Sequence, residues 1–93
     1  MKANVLENKS MVYLRRNEWQ NALENTQRIL KLGNQDSSWN WLFQWIAADH
    51  LEEKGLAADA KGEWEKMASE GDRKKLRGYL PPKFHHYLQP SGR

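Results

Sequence analysis

The sequence contains no cysteine and only three prolines among its 93 residues. A chain without cysteine has no disulfide bond and no thiolate chemistry, which is typical of proteins from a reducing compartment. Apolar runs of the roughly 18 residues that a membrane span requires are also missing. Residues 1–10 show no apolar core of a secretory signal. Because a chain of this length rarely holds two cores, we expect one folded domain with no membrane span.

Motifs that carry catalysis or cofactor binding are missing as well. The sequence has no P-loop, no HExxH zinc motif and no GxSxG nucleophile motif. His85 and His86 are neighbours in a predicted extended segment, where adjacent side chains point apart and do not bind one metal ion. Glu52 and Glu53 fit a solvent-facing helix end better than an acid/base pair. We therefore expect neither an enzyme nor a cofactor or metal.

The charge is unevenly distributed along the chain. Residues 73–93 contain six Lys or Arg and no Asp or Glu, although the whole chain has a net charge of only +3. The first 72 residues are therefore net acidic. The basic patch of the fifth helix is formed by Arg73, Lys74, Lys75 and Arg77. A basic end of this kind suits an acidic partner or nucleic acid, but it is also typical of a solvated helix end, and no nucleic-acid-binding motif accompanies it.

Strand signals are weak, because only two Val and two Ile occur and no apolar residues alternate. Apolar residues instead recur at steps of three and four, which predicts helices. We expect an all-α domain over residues 1–80 that consists of two antiparallel helix hairpins and a short fifth helix. The hairpins are placed at residues 3–32 and 38–69, the fifth helix at 73–80, and an extended tail at 81–93.

Local signals set the expected helix ends. Gly33 is suited to end the second helix, and Gly71 to stop the fourth. Asp72 is expected to cap the fifth helix, which Pro81-Pro82 ends because proline lacks the backbone N–H. The third helix is expected to begin at one of three capping residues: Asp36, Ser37 or Ser38.

The two hairpins overlay when Ala22 is aligned with Ala60, an offset of 38 residues. The shared pattern resembles the tetratricopeptide repeat, with small residues where helices approach and Gly or Asn at the turn. Gly55 is expected to supply the positive φ that closes the second turn. A generic antiparallel helical bundle uses Ala and Gly in the same places and remains the alternative. The second copy carries the pattern at Ala48, Leu51, Gly55, Ala60 and Trp64.

Aromatic residues are concentrated in the predicted third helix. At about 100° per residue, Trp39 and Phe43 lie on one side, and Trp41 and Trp45 lie on roughly the opposite side. A two-layer hairpin protein buries one such face easily, so we expect the other to bind a partner. The alternative is that the fifth helix and the aromatic residues of the tail cover this face.

The order of these features resembles the needle-subunit chaperones of bacterial type III secretion systems, which are similar to tetratricopeptide repeats. The resemblance runs from about Met11 to Leu80. It rests on the run Leu14-Arg15-Arg16-Asn17-Glu18-Trp19, on Ala22-Leu23, on Trp41-Leu42, on Gly55-Leu56, and on Met67-Ala68-Ser69 before Gly71-Asp72 and a basic helix.

This resemblance implies a bacterial cytoplasmic chaperone that holds the amphipathic helix of a needle subunit in an apolar groove. It would prevent premature polymerisation by covering the stripe through which the subunit assembles. It would act with a second small helical co-chaperone, in a heterodimer or heterotrimer. The basic patch would contact acids of the client or co-chaperone. The implied partner-binding residues are Met11, Leu14, Trp41, Leu42, Trp45, Asp49, Leu76 and Leu80.

Two other functions remain possible from the sequence. The stretch Leu51-Glu52-Glu53-Lys54-Gly55-Leu56, with Ala60 and Trp64, is similar to short activators of virulence genes, in which the basic fifth helix would contact phosphates. The acidic first 72 residues argue against this regulator. A third possibility is a self-associating protein whose spare Trp face forms a homodimer interface.

Overall fold

The computed structural model describes residues 3–33 and 36–89, which form α-helices joined by short turns and end in a 3₁₀ helix. No strand occurs in these two ranges, so the all-α prediction is confirmed. The predicted hairpins at 3–32 and 38–69 agree with the helices to within a few residues. The helices are α1 (Ala3–Arg15), α2 (Trp19–Lys31), α3 (Ser38–His50), α4 (Lys54–Met67), α5 (Glu70–Tyr79) and the 3₁₀ helix (Pro82–Leu88).

The turns of the two hairpins have the same backbone conformation. Asn17 closes the α1–α2 turn and Glu52 closes the α3–α4 turn, each with φ of 61°. In both turns the next amide donates to a carbonyl five residues earlier at 2.9 Å, Glu18 to Tyr13 and Glu53 to Ala48. These left-handed turns satisfy carbonyls that the helix end leaves without partners.

The equivalent turns correct the predicted repeat. Asn17 and Glu52 are 35 residues apart, so the expected offset of 38 is wrong and Ala22 is equivalent to Ala57 instead of Ala60. The role expected for Gly55 is also wrong. Gly55 lies in the first turn of α4, and the left-handed position falls on Glu52 instead.

Serine side chains begin two of the helices. The Ser37 hydroxyl accepts from the Asn40 amide at the start of α3, which selects Ser37 among the three predicted caps. At the start of α5, Ser69 accepts from the Asp72 amide and the Asp72 carboxylate accepts from the Ser69 amide. This capping box starts α5 at Glu70. Gly71 therefore lies inside α5 and does not end α4. Asp72 is the third residue of α5, and Ser69 is its N-cap.

The predicted extended tail is wrong for residues 82–88. They form the 3₁₀ helix, which we call the 3₁₀ segment, with Pro82 in its first turn. Proline suits this position because an N–H there has no acceptor. Residues 90–93 of the predicted tail lie outside the described residues, as do residues 34 and 35 of the loop before α3 and residues 1 and 2.

Helix α3 is the centre of the domain. It packs against α1, α2, α4 and the 3₁₀ segment, and its exposed residues are confined to its last turn. The largest fully buried apolar side chains come from all helices and the 3₁₀ segment: Leu14, Ile29, Leu42, Phe43, Ile46, Trp64, Leu76, Phe84 and Leu88.

Candidate functional site

The tryptophans of α3 are half-buried, and different parts of the chain contact them. The ring of Trp39 lies 5.7 Å from that of Tyr79 in α5. Trp45 meets Tyr87 edge to face at 4.8 Å, and the Lys61 ammonium of α4 lies 5.6 Å from the Trp45 ring. Trp41 also packs partly buried against the core. The face that was expected to bind a partner is therefore covered at Trp45, where Tyr87 of the C-terminal 3₁₀ helix and Lys61 of α4 lie against the ring.

The 3₁₀ segment is anchored on this face by three buried side chains, Phe84, Tyr87 and Leu88. Phe84 lies edge-on to Trp19 and to His50, each with ring centroids 6.0 Å apart. Trp19 and His50 are themselves stacked at 3.9 Å. Aromatic residues of the predicted tail thus contact Trp45 and His50 of α3, in the manner of the stated alternative to an open face.

Polar contacts hold the rim of the 3₁₀ segment. The Tyr87 hydroxyl donates to the Asp49 carboxylate at 2.5 Å, and the Lys83 ammonium donates to the Asn17 side chain at 2.7 Å. The Arg73 guanidinium donates to the Leu88 carbonyl at 2.9 Å. Burial, and then the bond to Asp49 and its negative charge, raise the pKa of Tyr87.

The predicted partner-binding residues divide into two groups. Asp49 is exposed, and Trp41 and Trp45 are half-buried. The remaining five are core side chains, so they support the surface from inside and their expected role in lining a groove is corrected. These are Met11, Leu14, Leu42, Leu76 and Leu80. Met11 also lines an open depression.

That depression, which we call the α1 groove, has a volume of about 520 Å³. Two of its lining residues are large apolar side chains that face solvent, since Val12 is 41% exposed and Tyr79 is 53% exposed. Half-buried Trp39 adds a third apolar surface. The residues that line the α1 groove are Asn8, Met11, Val12, Arg15, Trp39 and Tyr79.

The sequence carried a signal for the α1 groove that was missed. Asn8, Met11, Val12 and Arg15 are spaced as i, i+3, i+4 and i+7, which places them on one face of a helix. Val12 was not assigned to any surface because the aromatic residues of α3 dominated the pattern. The contribution of Tyr79 follows from how α5 packs and has no local signal.

Arg15 closes one end of the α1 groove. Its guanidinium donates to the Tyr79 carbonyl at 2.5 Å and lies 3.5 Å from the Met11 sulfur. The first contact also satisfies a carbonyl in the last turn of α5, which has no partner within that helix. A positive charge therefore stands beside an apolar floor.

The predicted basic patch is split by the fold. Lys74, Lys75 and Arg77 are exposed. Arg73 is half-buried, because it bonds to Leu88 and its guanidinium carbon lies 5.6 Å from the Trp64 ring. A cleft of about 470 Å³ beside this helix is lined by Arg73, Lys74 and Arg77, together with Glu70, Gly71 and Leu88. Three of the four cations thus remain available to a partner.

Two carboxylates flank the start of α3. Burial would raise the pKa of Asp72, but hydrogen bonds from Ser69, Ser38 and Trp39 outweigh it and the pKa is lowered. Burial raises the pKa of Glu7, and a hydrogen bond with Ser37 only partly opposes this. The difference arises because several hydrogen bonds favour the charged form of Asp72, whereas burial outweighs the hydrogen bond with Ser37 at Glu7.

Comparisons with protein-family models, curated proteins and solved structures found no match to this chain. Within residues 3–33 and 36–89, no helix has both the length and the apolar character needed to cross a bilayer. The same part of the chain brings together no group of three or more His, Asp or Glu suited to a metal ion. What the site offers chemically is a groove of mixed polar and apolar lining, with the Arg15 cation among its lining residues.

Proposed function

We propose that this protein is a binding module that holds an amphipathic helix of a partner protein in the α1 groove. The observation that carries the proposal is the exposure of Val12 and Tyr79 beside Trp39. Apolar side chains gathered in a depression favour binding, because a partner that covers them removes their surface from water.

The size and charge of the α1 groove define the partner. A volume of about 520 Å³ lies within the usual range for binding pockets and takes a few side chains of a docked helix. The anchors of such a helix would be apolar residues at three- and four-residue spacing. An acidic residue at one end would meet Arg15, whose charge the bond to a backbone carbonyl leaves uncompensated.

Within this class, we propose a chaperone for a needle subunit of a bacterial type III secretion system, acting with a small helical co-chaperone in the cytoplasm. The proposal is supported by the order of sequence features that resembles this family and by a groove suited to an amphipathic helix. The client helix would contact the α1 groove, which includes Met11, instead of the four core leucines first expected. Covering the apolar stripe of the client would prevent its premature assembly.

A second candidate is a small DNA-binding regulator, which the exposed cations Lys74, Lys75 and Arg77 favour. Phosphate contacts would make its DNA binding strongly dependent on salt. Glu70 stands in the same cleft as two of these residues and opposes such contacts. A salt-sensitive mobility shift of promoter DNA that is lost in Lys74→Glu would favour this function over the chaperone.

Co-expression tests the chaperone proposal. The chain is produced with each small helical protein encoded beside its gene, and complexes are isolated by size-exclusion chromatography. We expect a stable complex that Val12→Asp abolishes, since a carboxylate in the groove floor would be desolvated by the client. Leu32→Asp is the matched control, because Leu32 is 64% exposed and lies outside the groove lining.

The two variants separate the proposal from a general effect on folding. Both replace an exposed apolar residue by aspartate, so circular dichroism should show equal helix content. If no neighbouring protein forms a complex, or if Val12→Asp and Leu32→Asp bind the client equally well, the groove is not the client site.

A further inference from the structure

The surface beneath the 3₁₀ segment has the character of an interface. The residues that contact the segment are Trp19, Trp45, His50 and Asp49. The first three are rings that carry a polar N–H or nitrogen, and the fourth is a carboxylate, so all four tolerate contact with water. Aromatic residues of this kind are enriched where proteins bind one another. The fully buried Phe43 and Ile46 lie in the same helix, which also packs against α1 and α2.

The 3₁₀ segment binds this surface in the manner of a short peptide ligand. It inserts Phe84, Tyr87 and Leu88 at i, i+3 and i+4, and its rim contacts reach residues distant in sequence, Asn17 and Asp49. The Phe84 amide donates to the Pro81 carbonyl at 3.0 Å at the start of the segment. The segment is a 3₁₀ helix of seven residues. Such helices rarely exceed three or four residues, because their hydrogen bonds are poorly aligned.

The connection to α5 allows the 3₁₀ segment to leave without unwinding that helix. The last backbone hydrogen bond of α5 is donated by the Leu80 amide to the Leu76 carbonyl. Pro81 and Pro82 follow immediately. Neither proline has an N–H to donate, so release of the segment breaks no α-helical hydrogen bond at this junction. The 3₁₀ segment can therefore detach at this junction while α5 keeps its backbone hydrogen bonds.

We propose that the 3₁₀ segment is a built-in occupant of a peptide-binding surface on α3 and that a partner peptide displaces it. The partner is a short helical segment with two aromatic residues and one aliphatic residue at the spacing of Phe84, Tyr87 and Leu88. A cation before the first aromatic residue would take the place of Lys83 at Asn17. This surface is distinct from the α1 groove, so the inference does not depend on the client proposed above.

Displacement predicts a specific coupling between the segment and an added peptide. The apparent affinity for a peptide equals its intrinsic affinity multiplied by the fraction of molecules in which the surface is free. Tyr87→Phe removes a hydrogen bond to a carboxylate, which should raise that fraction about tenfold. The added peptide keeps its own tyrosine and still bonds to Asp49.

The experiment uses the full chain and a fluorescein-labelled peptide with the sequence of residues 81–89, with binding followed by fluorescence anisotropy. We expect Tyr87→Phe to bind the peptide about tenfold more tightly than the native chain does. Tyr13→Phe, a tyrosine of α1 outside the 3₁₀ segment, should bind it as the native chain does. Equal affinity in all three proteins, or no binding to Tyr87→Phe at millimolar peptide, would overturn the proposal.

Hydrogen exchange of the native chain is the second measurement, and it requires no variant to fold. We expect the Phe84 amide to exchange by local opening, at least tenfold faster than the Ile46 and Ala47 amides and with little dependence on denaturant. If these amides show the same protection and the same denaturant dependence, the 3₁₀ segment is part of the cooperative core and the proposal fails.

Discussion

Replacing Asp72 by asparagine tests how α5 is attached to α3. The carboxylate accepts from the Ser69 amide and from the Ser38 hydroxyl, each at 3.1 Å. The first bond completes the capping box of α5 and the second joins that helix to the start of α3. Asparagine keeps an acceptor oxygen but loses the charge that strengthens both bonds.

The magnitude follows from these contacts. A hydrogen bond to a charged group contributes about 1.5–3 kcal/mol, and neutral bonds are roughly half as strong. Since Asp72 is half-buried, solvent screening reduces the difference. We expect Asp72→Asn to lower the free energy of unfolding by about 1.5 kcal/mol in total. Asp59→Asn, an exposed aspartate of α4, should change it by less than about 0.5 kcal/mol.

The effect should depend on pH in one direction. The pKa of Asp72 is lowered in the folded state, so its stabilising contribution is fully present above the unfolded value, about 3.9. The contribution is lost as pH falls through the folded-state pKa. Urea unfolding followed by circular dichroism at pH 7 and at pH 3 measures both quantities. The reasoning is refuted if Asp72→Asn is as stable as the native chain at pH 7, or if the difference stays constant at low pH.

Three further changes test the fold. Glu52→Gly should raise the free energy of unfolding by about 0.5–1 kcal/mol, because glycine adopts the positive φ of this turn without strain. Glu53→Gly is the control and should not raise it, and thermal unfolding of the two variants measures the difference. Trp64→Ala should cost about 3–5 kcal/mol in urea unfolding, since this fully buried indole leaves a large cavity; a smaller loss than 2 kcal/mol would contradict its core role. The raised pKa of Tyr87 means that its contribution is complete below about pH 10 and declines as pH rises further. Tyr87→Phe should therefore lose less of its free energy of unfolding than the native chain as the pH rises above about 10. An equal loss in the two proteins would contradict the raised pKa of Tyr87.

Local signals in the sequence predicted some helix boundaries and misplaced others. Ser37, Asn17 and Gly33 act through their own backbone or side-chain geometry, so the chain near them determines the outcome. The left-handed turn at Glu52 was missed because glutamate has no intrinsic preference for positive φ. The amides of Leu51, Glu52 and Glu53 donate to carbonyls of α3. This hydrogen bonding holds a left-handed conformation that propensity alone would place at Gly55.

Long-range packing determined what the sequence did not predict. The apolar residues of the 3₁₀ segment were recognised as candidates to dock, but its 3₁₀ conformation depends on the surface formed by Trp19, Trp45 and His50. The leucines assigned to the partner site, such as Leu42 and Leu76, had the right helical face. Periodicity does not distinguish a face turned toward a partner from one turned toward the chain's own core.

The measurement that most directly tests the binding function is NMR of the indole N–H groups during titration with the client recovered by co-expression. Trp39 lines the α1 groove, whereas Trp64 is fully buried and outside it. We predict that the Trp39 indole signal shifts with client concentration while the Trp64 signal stays in place, and that Val12→Asp removes the shift. An unmoved Trp39 signal at saturating client would contradict the assignment of the α1 groove as the binding site.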